Sequence, residues 1–151
     1  MTLTMTSGLV DTYRGVVYPW HCDHMGHMNV MWYVGKFDEA TWHFFSLIGL
    51  TPEFLRRNQR GMAAVGQRIA YLRELVAGDI VTVRSATLEI RDRVIRFVHE
   101  MRNAQSDEVA AVTVLTAVHL DTESRKATAF AQAVKERAAI HAVEFDLPWA
   151  E

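Results

Sequence analysis

The spacing of apolar residues changes once along the chain, and this change constrains the fold more than any other feature. From Val30 to Leu50 apolar side chains recur every three to four residues, which is typical of a helix, and Asn29 is a suitable N-cap before them. After Gly61 the period becomes two and stays so. One long helix followed by strands predicts an α+β domain in which a single sheet wraps around a single helix.

Five strands are predicted, one before the helix and four after it. The first is Thr12–Tyr18, which Pro19 ends, and the others cover residues 62–75, 80–90, 94–103 and 109–121, with short turns between them. The last strand is apolar on both faces, so we expect it to be central or covered on both sides. Short helical segments are expected at residues 52–59 and 128–140, and a loose polar lead at Met1–Val10.

The predicted long helix is apolar on nearly every face. Its few polar residues are Lys36, Asp38, Glu39, His43 and Ser46. Such a helix is normally buried on most sides. Gly35 within it predicts the close approach of another backbone.

Composition indicates one ordinary globular domain spanning residues 1–151, with 50% hydrophobic and 23% charged residues. A net charge of -2 argues against a nucleic-acid partner, which requires a broad basic surface. A single cysteine, Cys22, favours a reducing, cytoplasmic location. The N-terminus has no signal-peptide pattern, and no apolar run is long enough to predict a membrane span.

The segment from His21 to Tyr33 holds the densest chemistry. Asp23 precedes Val30 by seven residues, and the backbone N–H of Val30 has no partner in the helix ladder. The start of a helix is electropositive, so it can polarise a carbonyl placed there. Asp23, on the other side of that carbonyl carbon, could attack it or deprotonate water, and Gly26 lets the loop turn tightly between the two groups.

These residues form the pattern D-x-x-G-H-x-N-x-x-x-Y between the first strand and the long helix, with Asp23, Gly26, His27, Asn29 and Tyr33 at its fixed positions. The chain thereby resembles the 4-hydroxybenzoyl-CoA thioesterase-like branch of the hotdog superfamily. The resemblance implies a hotdog fold and hydrolysis of an acyl-CoA thioester, with Asp23 as nucleophile or general base and the Val30 amide polarising the thioester. It implies no metal and no bound cofactor, coenzyme A being part of the substrate.

The resemblance also implies an assembly. Two subunits would join their sheets edge to edge with each active site at the interface, and dimers would pair further. The phosphates of coenzyme A would lie near the hairpin turn that carries Arg91 and Arg93. Family members often have a second acidic residue where this chain has His21 and a second Asn where it has Val30, which leaves the acyl group of the substrate open.

Several side chains have plainer alternatives. His27 either orients Asp23 or a water, or bonds the loop backbone. The cluster of His21, Cys22, Asp23, His24 and His27 suggests zinc, but adjacent side chains point apart, and His99 and His119 follow the pattern of core residues, so we expect no metal.

Aromatic residues on the helix are expected mainly in the core, a minority of them lining an acyl pocket. Asp38 and Glu39 are neighbours on the helix and cannot act on one atom. Two other functions stay open: a non-catalytic acyl-CoA-binding hotdog protein, and a hotdog hydratase or dehydratase.

Overall fold

A computed structural model describes residues 8–149 as a five-stranded antiparallel sheet that packs on one long helix, which confirms the predicted α+β class. Residues 1–7, which include most of the predicted polar lead, and residues 150–151 lie outside the described part of the chain. The elements in chain order are β1 (Val10–Val16), α1 (Val30–Leu47), α2 (Pro52–Asn58), β2 (Arg60–Tyr71), β3 (Ile80–Ile90), β4 (Val94–Asn103), β5 (Val109–Asp121) and α3 (Gln132–Ile140).

Three strands, β3, β4 and β5, have the predicted bounds, whereas the other elements begin or end differently. Helix α1 ends at Leu47 rather than Leu50, since the next residues leave the helical conformation before Gly49, whose φ is +95°. Strand β2 stops at Tyr71 rather than Leu75, because the N–H groups of Leu72 and Arg73 both turn to the carbonyl of Ala110.

The strand order is β1-β3-β4-β5-β2, so the expected simple meander is wrong at one point. Strand β2 pairs with β5 instead of β3, and residues 72–79 cross between them. The period of a strand reveals that it is a strand but does not say which neighbour it pairs with. This crossing connection becomes part of the candidate site.

The position of α1 is set by aromatic side chains buried against the sheet. Phe37 and Phe44 are fully buried, and Phe44 stacks on Phe97 of β4 with ring centroids 5.7 Å apart. Burial of such a side chain contributes about 2–3 kcal/mol. The first turn of α1 is thereby held in a defined place above the sheet.

Two expectations for α1 are wrong within the described chain. A Cβ added at Gly35 would meet only the Trp32 ring at 3.8 Å, so no other backbone approaches there. Burial on most sides is also not reached, because Met31, Val34, Trp42 and Leu47 are exposed. Lys36, one of the few polar residues of the helix, is buried, with 3% of its surface exposed.

The outer face of the sheet is covered by the chain's own C-terminal segment. After α3 the chain passes the edge of β3, where Thr87 N–H donates to the His141 carbonyl (2.8 Å) and Val143 N–H donates to the Thr87 carbonyl (3.0 Å). Alternate residues of 143–149 then pack over the buried apolar side chains of β3, β4 and β5. Strand β5 is therefore covered on both faces, as its sequence predicts. None of the described helices has the length and apolar character needed to cross a membrane.

Candidate active site

The loop between β1 and α1 closes on itself and presents Asp23. A backbone bridge joins Cys22 to Met28, and the Asp23 N–H donates to the His27 carbonyl at 3.1 Å. The Gly26 N–H donates to the Asp23 carbonyl at 2.9 Å. Gly26 has a φ of +86°, which residues with a Cβ adopt only under strain, so glycine at this position permits the turn.

Asn29 has two functions at the start of α1. Its Oδ1 accepts a hydrogen bond from the Met31 N–H (2.9 Å), which makes it the N-cap as predicted. Because Oδ1 is used in this way, the amide nitrogen Nδ2 faces the loop and donates to Asp23 Oδ2 at 2.9 Å. The helix cap and the carboxylate are thus joined by one side chain.

The Asp23 carboxylate is held at both oxygens, since Oδ1 accepts from the Met25 N–H at 2.9 Å. The Asn29 bond, followed by the Met25 bond, lowers the pKa of Asp23 below its usual value because both stabilise the anion. Each oxygen still has a lone pair that these bonds do not use. Asp23 is therefore a fixed, ionised carboxylate that can accept a proton or attack carbon.

The backbone N–H of Val30 is the first of α1. Asn29 caps Met31, and the Asn29 carbonyl accepts from Trp32, but within residues 8–149 the Val30 N–H donates to no protein acceptor. This unpaired donor lies at the electropositive end of the helix. It is available to a ligand oxygen.

Asp23 and Val30 line the same cavity, of about 420 Å³. Its second wall is the crossing segment after β2, which the Met28 N–H joins through the Leu75 carbonyl at 2.7 Å. The full lining comprises Asp23, Met25, His27, Met28, Asn29, Val30, Tyr33, Tyr71, Leu72, Arg73 and Glu74. Gly26 does not line the cavity, so its contribution is to the turn.

Tyr33 lies at 4% exposure under this cavity. Its hydroxyl donates to the Arg73 carbonyl at 3.2 Å, and its ring packs edge to face on Tyr71 with centroids 5.1 Å apart. Burial, followed by the charges of Tyr71, Glu74 and Asp79, raises the pKa of Tyr33 to about 12. The hydroxyl is thus occupied in fixing the crossing segment, and the ring forms the cavity surface.

The side chain of His27 has a partner that the sequence does not suggest. His27 Nε2 lies 2.8 Å from Glu74 Oε2, across the two walls of the cavity. Among the described residues the His27 side chain bonds neither Asp23 nor the loop backbone, and its expected contact with a water stays a prediction. Glu74 follows a strand and resembles an ordinary solvated loop residue, so no local signal identifies it.

The hairpin that carries Arg91 and Arg93 lies at the other end of the sheet. Strand β3, which spans about 30 Å at the usual rise per residue, separates it from the Asp23 loop. Arg91 Nε is 2.8 Å from Glu89 Oε2, so its charge is partly neutralised, whereas Arg93 is exposed on the turn. Within one chain these arginines are not near Asp23.

The histidine and cysteine cluster before α1 does not converge. His21 Nδ1 accepts from the Tyr18 N–H at 3.0 Å, and its ring packs against Trp32 at 4.5 Å. Across residues 8–149 no three His, Cys, Asp or Glu residues are placed to hold a metal ion. His99 and His119 are buried, as their strand pattern predicts.

Comparisons with known proteins agree with this architecture. A model of the thioesterase-like superfamily matches residues 17–138, whereas no curated protein matches the chain. A Staphylococcus aureus protein solved in complex with CoA superposes with a TM-score of 0.85 at 18% identity, over 93% of this chain and 89% of its own.

Two further structures are similar. A 1,4-dihydroxy-2-naphthoyl-CoA thioesterase from Synechocystis has a TM-score of 0.75 at 17% identity, over 84% of this chain and 93% of its own. A gentisyl-coenzyme A thioesterase has a TM-score of 0.72 at 21% identity, over 84% of this chain and 98% of its own. At these identities the likeness establishes the fold, and the predicted hotdog fold is confirmed.

Proposed function

Because the chain belongs to the thioesterase-like superfamily, we propose that it hydrolyses an acyl-CoA thioester to a free acid and coenzyme A. The observation that supports the proposal most directly is that a fixed carboxylate, Asp23, and a free backbone donor, the Val30 N–H, line the same cavity. Neighbours that act on two aromatic acyl-CoAs support the same substrate class. We also propose membership of the 4-hydroxybenzoyl-CoA thioesterase-like branch, a single domain over residues 1–151 and a cytoplasmic location.

In the general-base mechanism, the thioester oxygen accepts a hydrogen bond from the Val30 N–H. Asp23 removes a proton from a water molecule. The water oxygen bonds to the carbonyl carbon, and the carbonyl electron pair moves to the oxygen, where the helix start stabilises the negative charge. When the carbonyl re-forms, the C–S bond breaks with its electron pair on sulfur. The proton held by Asp23 then passes to the thiolate, which restores the enzyme.

In the alternative mechanism, an Asp23 oxygen bonds to the carbonyl carbon directly and the thiolate leaves, so that a mixed anhydride forms. Water then cleaves the anhydride and returns the carboxylate. A single turnover in ¹⁸O-labelled water tests for the anhydride route, because attack of water on the aspartyl carbon of the anhydride puts label into Asp23. The general-base route puts label only into the released acid, as does attack of water on the acyl carbon of the anhydride, so only label in Asp23 decides between the routes.

The other predicted residues support these two groups. Asn29 holds Asp23 and caps the helix, and His27 joins the loop to the opposite wall through Glu74. Tyr33 provides a wall for the substrate and fixes the crossing segment. Gly26 permits the turn.

We further propose that the protein assembles as a homodimer or as a dimer of dimers. Strand β2 is an edge strand, with Val65 63% exposed in its middle, and an unpaired edge favours pairing with a second copy. Antiparallel pairing about a two-fold axis sets the start of one β2 beside the end of the other. The hairpin of one subunit then lies near the Asp23 loop of its partner, so Arg93 would hold the phosphates of a substrate cleaved by the other chain.

The test is a panel of short-chain, long-chain and aromatic acyl-CoAs, with thiol release and binding measured for each. We expect saturable hydrolysis of at least one member, without added metal or cofactor. Binding of acyl-CoA without thiol release would instead identify a binding protein, and hydration of an enoyl-CoA a hydratase. Light scattering of the same sample tests the assembly, which a 17 kDa particle would contradict.

A further inference from the structure

Lys36 is a residue of α1 whose side chain is buried between the helix and β1. Although only 3% of its surface is exposed, its ammonium has no carboxylate at hydrogen-bond distance among residues 8–149. Nζ donates to the Tyr13 hydroxyl at 3.2 Å and to the Val16 carbonyl at 3.3 Å, both neutral oxygens of β1. Burial lowers the pKa of Lys36, which is opposed by the charge of Glu39.

The Tyr13 side chain is placed for this contact by Gly15. A Cβ on Gly15 would overlap the phenol, whose Cζ would lie 2.7 Å away. With no side chain at Gly15, the ring lies over the strand and its hydroxyl reaches the helix. The ammonium also lies 5.4 Å from the centre of the Tyr13 ring, within the range of a cation–π contact.

The contact joins the two elements on which catalysis depends. Asp23 lies on the loop that continues from β1, and Val30 is the first residue of α1, so their separation depends on how β1 and α1 are placed. Lys36 fastens α1 to the last residue of β1. Beyond that point, the Asn29 N–H donates to the His21 carbonyl at 2.9 Å and its side chain holds Asp23.

A buried ammonium with neutral partners is a poor source of stability. Desolvation of the charge is unfavourable, and an apolar side chain of similar length often stabilises a protein when it replaces a buried ion. Stabilising substitutions of this kind characteristically reduce function where a costly arrangement serves the active site. Lys36 has these properties and lies outside the cavity that holds Asp23.

We propose that Lys36 is a positioning residue, which uses Tyr13 and Val16 to set the distance between the Asp23 carboxylate and the Val30 amide. The proposal rests on the proposed thioesterase function. A displacement of about 1 Å between reacting groups can reduce a rate by up to a hundredfold. Since Lys36 does not contact the cavity, its loss should affect turnover and leave substrate affinity almost unchanged.

The test compares Lys36→Met with wild type in kcat, KM and melting temperature. We expect kcat to fall at least about tenfold, KM to change less than about twofold and Tm to stay level or rise. Tyr13→Phe and Gly15→Ala, which displace the partner and retain the amine, should lower kcat in the same direction. The double variant Lys36→Met/Tyr13→Phe should be no slower than the slower single variant, because both act through one contact.

Arg57→Met is the matched control for the loss of a cation, because Arg57 lies exposed on α2, 3.4 Å from Glu53 of the same helix. It should leave kcat unchanged. A Lys36→Met enzyme with wild-type kcat, or one whose kcat loss follows a loss of folded protein, would overturn the positioning role. If wild type itself hydrolyses no acyl-CoA, the proposed function fails instead, so the two failures are distinguishable.

Discussion

Two polar clusters lie close to α1, one inside the core and one at the helix start, and they differ in how completely their atoms are paired. In the core, Ser85 Oγ lies 2.5 Å from His99 Nδ1 and His99 Nε2 lies 2.8 Å from Thr41 Oγ1. Thr12 extends the chain at 2.7 Å from Ser85. All four residues are buried.

The donors and acceptors in this core network can be assigned from the hydrogen bond that Thr41 makes within α1. The Thr41 hydroxyl donates to the Phe37 carbonyl at 3.0 Å, so it must accept from His99 Nε2–H. His99 Nδ1 is then an acceptor for the Ser85 hydroxyl, and the imidazole is neutral with both nitrogens occupied. This core network joins β1, β3, β4 and α1 and has no capacity for a ligand.

The Asp23 cluster differs in that its hydrogen-bonding groups are only partly paired. Its carboxylate is held by Asn29 and Met25 but keeps unused lone pairs, and it borders a cavity beside an unpaired backbone donor. A fully paired, dry network restricts the fold to one arrangement, whereas a partly paired and accessible one holds reactive groups ready. We therefore expect the first cluster to contribute to stability, and the proposed chemistry depends on the second.

The largest effect should come from Asp23→Asn, which removes the charge and retains the shape. We expect kcat to fall by at least about 100-fold, a common result of losing a positioned base, with little change in acyl-CoA affinity or melting temperature. Asp107→Asn, on an exposed turn, is the control. Near wild-type turnover would remove Asp23 from the mechanism, and loss of folding would make it structural like His99.

Lowering the pH should reduce the free energy of unfolding through the core cluster, because His99 is buried in its neutral form. Burial lowers the pKa of His99 from 6.5 to about 3, so between those values the unfolded chain binds a proton that the folded chain does not. The contribution of His99 to the free energy of unfolding is complete above its unfolded pKa and falls by about 1.4 kcal/mol per pH unit below it. Denaturant unfolding from pH 7 to pH 4 measures this slope.

A His99→Leu variant is the control for that measurement. It should be less stable at pH 7 yet lose less stability per pH unit on acidification. Activity per folded molecule should persist at mildly acidic pH, because the hydrogen bonds to Asp23 lower its pKa. If the variant loses as much stability per pH unit as wild type, groups other than His99 cause the pH dependence. The two clusters would then not differ in their response to acid.

A smaller effect is expected at Arg93, a charge on an exposed turn rather than in a built cluster. Arg93→Ala should raise KM for acyl-CoA about tenfold, as one charge-assisted contact predicts, with kcat nearly unchanged and the difference reduced by salt. Arg91→Ala should have less effect because Arg91 is paired with Glu89. An unchanged KM at low salt would place the phosphates elsewhere, for instance at Arg125 and Lys126.

The smallest effect is expected from chelation. We predict that EDTA leaves hydrolysis unchanged, because the histidines near Asp23 have other partners: His27 contacts Glu74 and His21 accepts from the Tyr18 backbone. Dialysis against EDTA followed by assay with and without zinc is the measurement. Loss of activity that zinc restores would mean that the loop is a metal site. The unused lone pairs of Asp23 would then be metal ligands rather than the mark of a catalytic base.

Much of the site could be predicted because it is local in sequence. The cap at Asn29, the turn at Gly26 and the placement of Asp23 before the helix all fall within residues 23–31, so their pattern is visible in the chain. The contacts of His27 with Glu74 and of Lys36 with Tyr13 join distant segments. A lysine on a helix and a glutamate after a strand are ordinarily solvated, and nothing nearby marks them as exceptions.

The sequence by itself determined the class of fold, the bounds of β3, β4 and β5, and the loop that precedes α1, because periodicity, capping and turn formation depend on neighbouring residues. Only the tertiary structure decided that β2 pairs with β5, that residues 143–149 cover the outer face, and that the crossing segment closes the cavity around Asp23. These features depend on which apolar surfaces and unpaired backbone groups meet after the chain folds. That choice depends on burial and hydrogen bonding summed over the whole domain, which no local pattern contains.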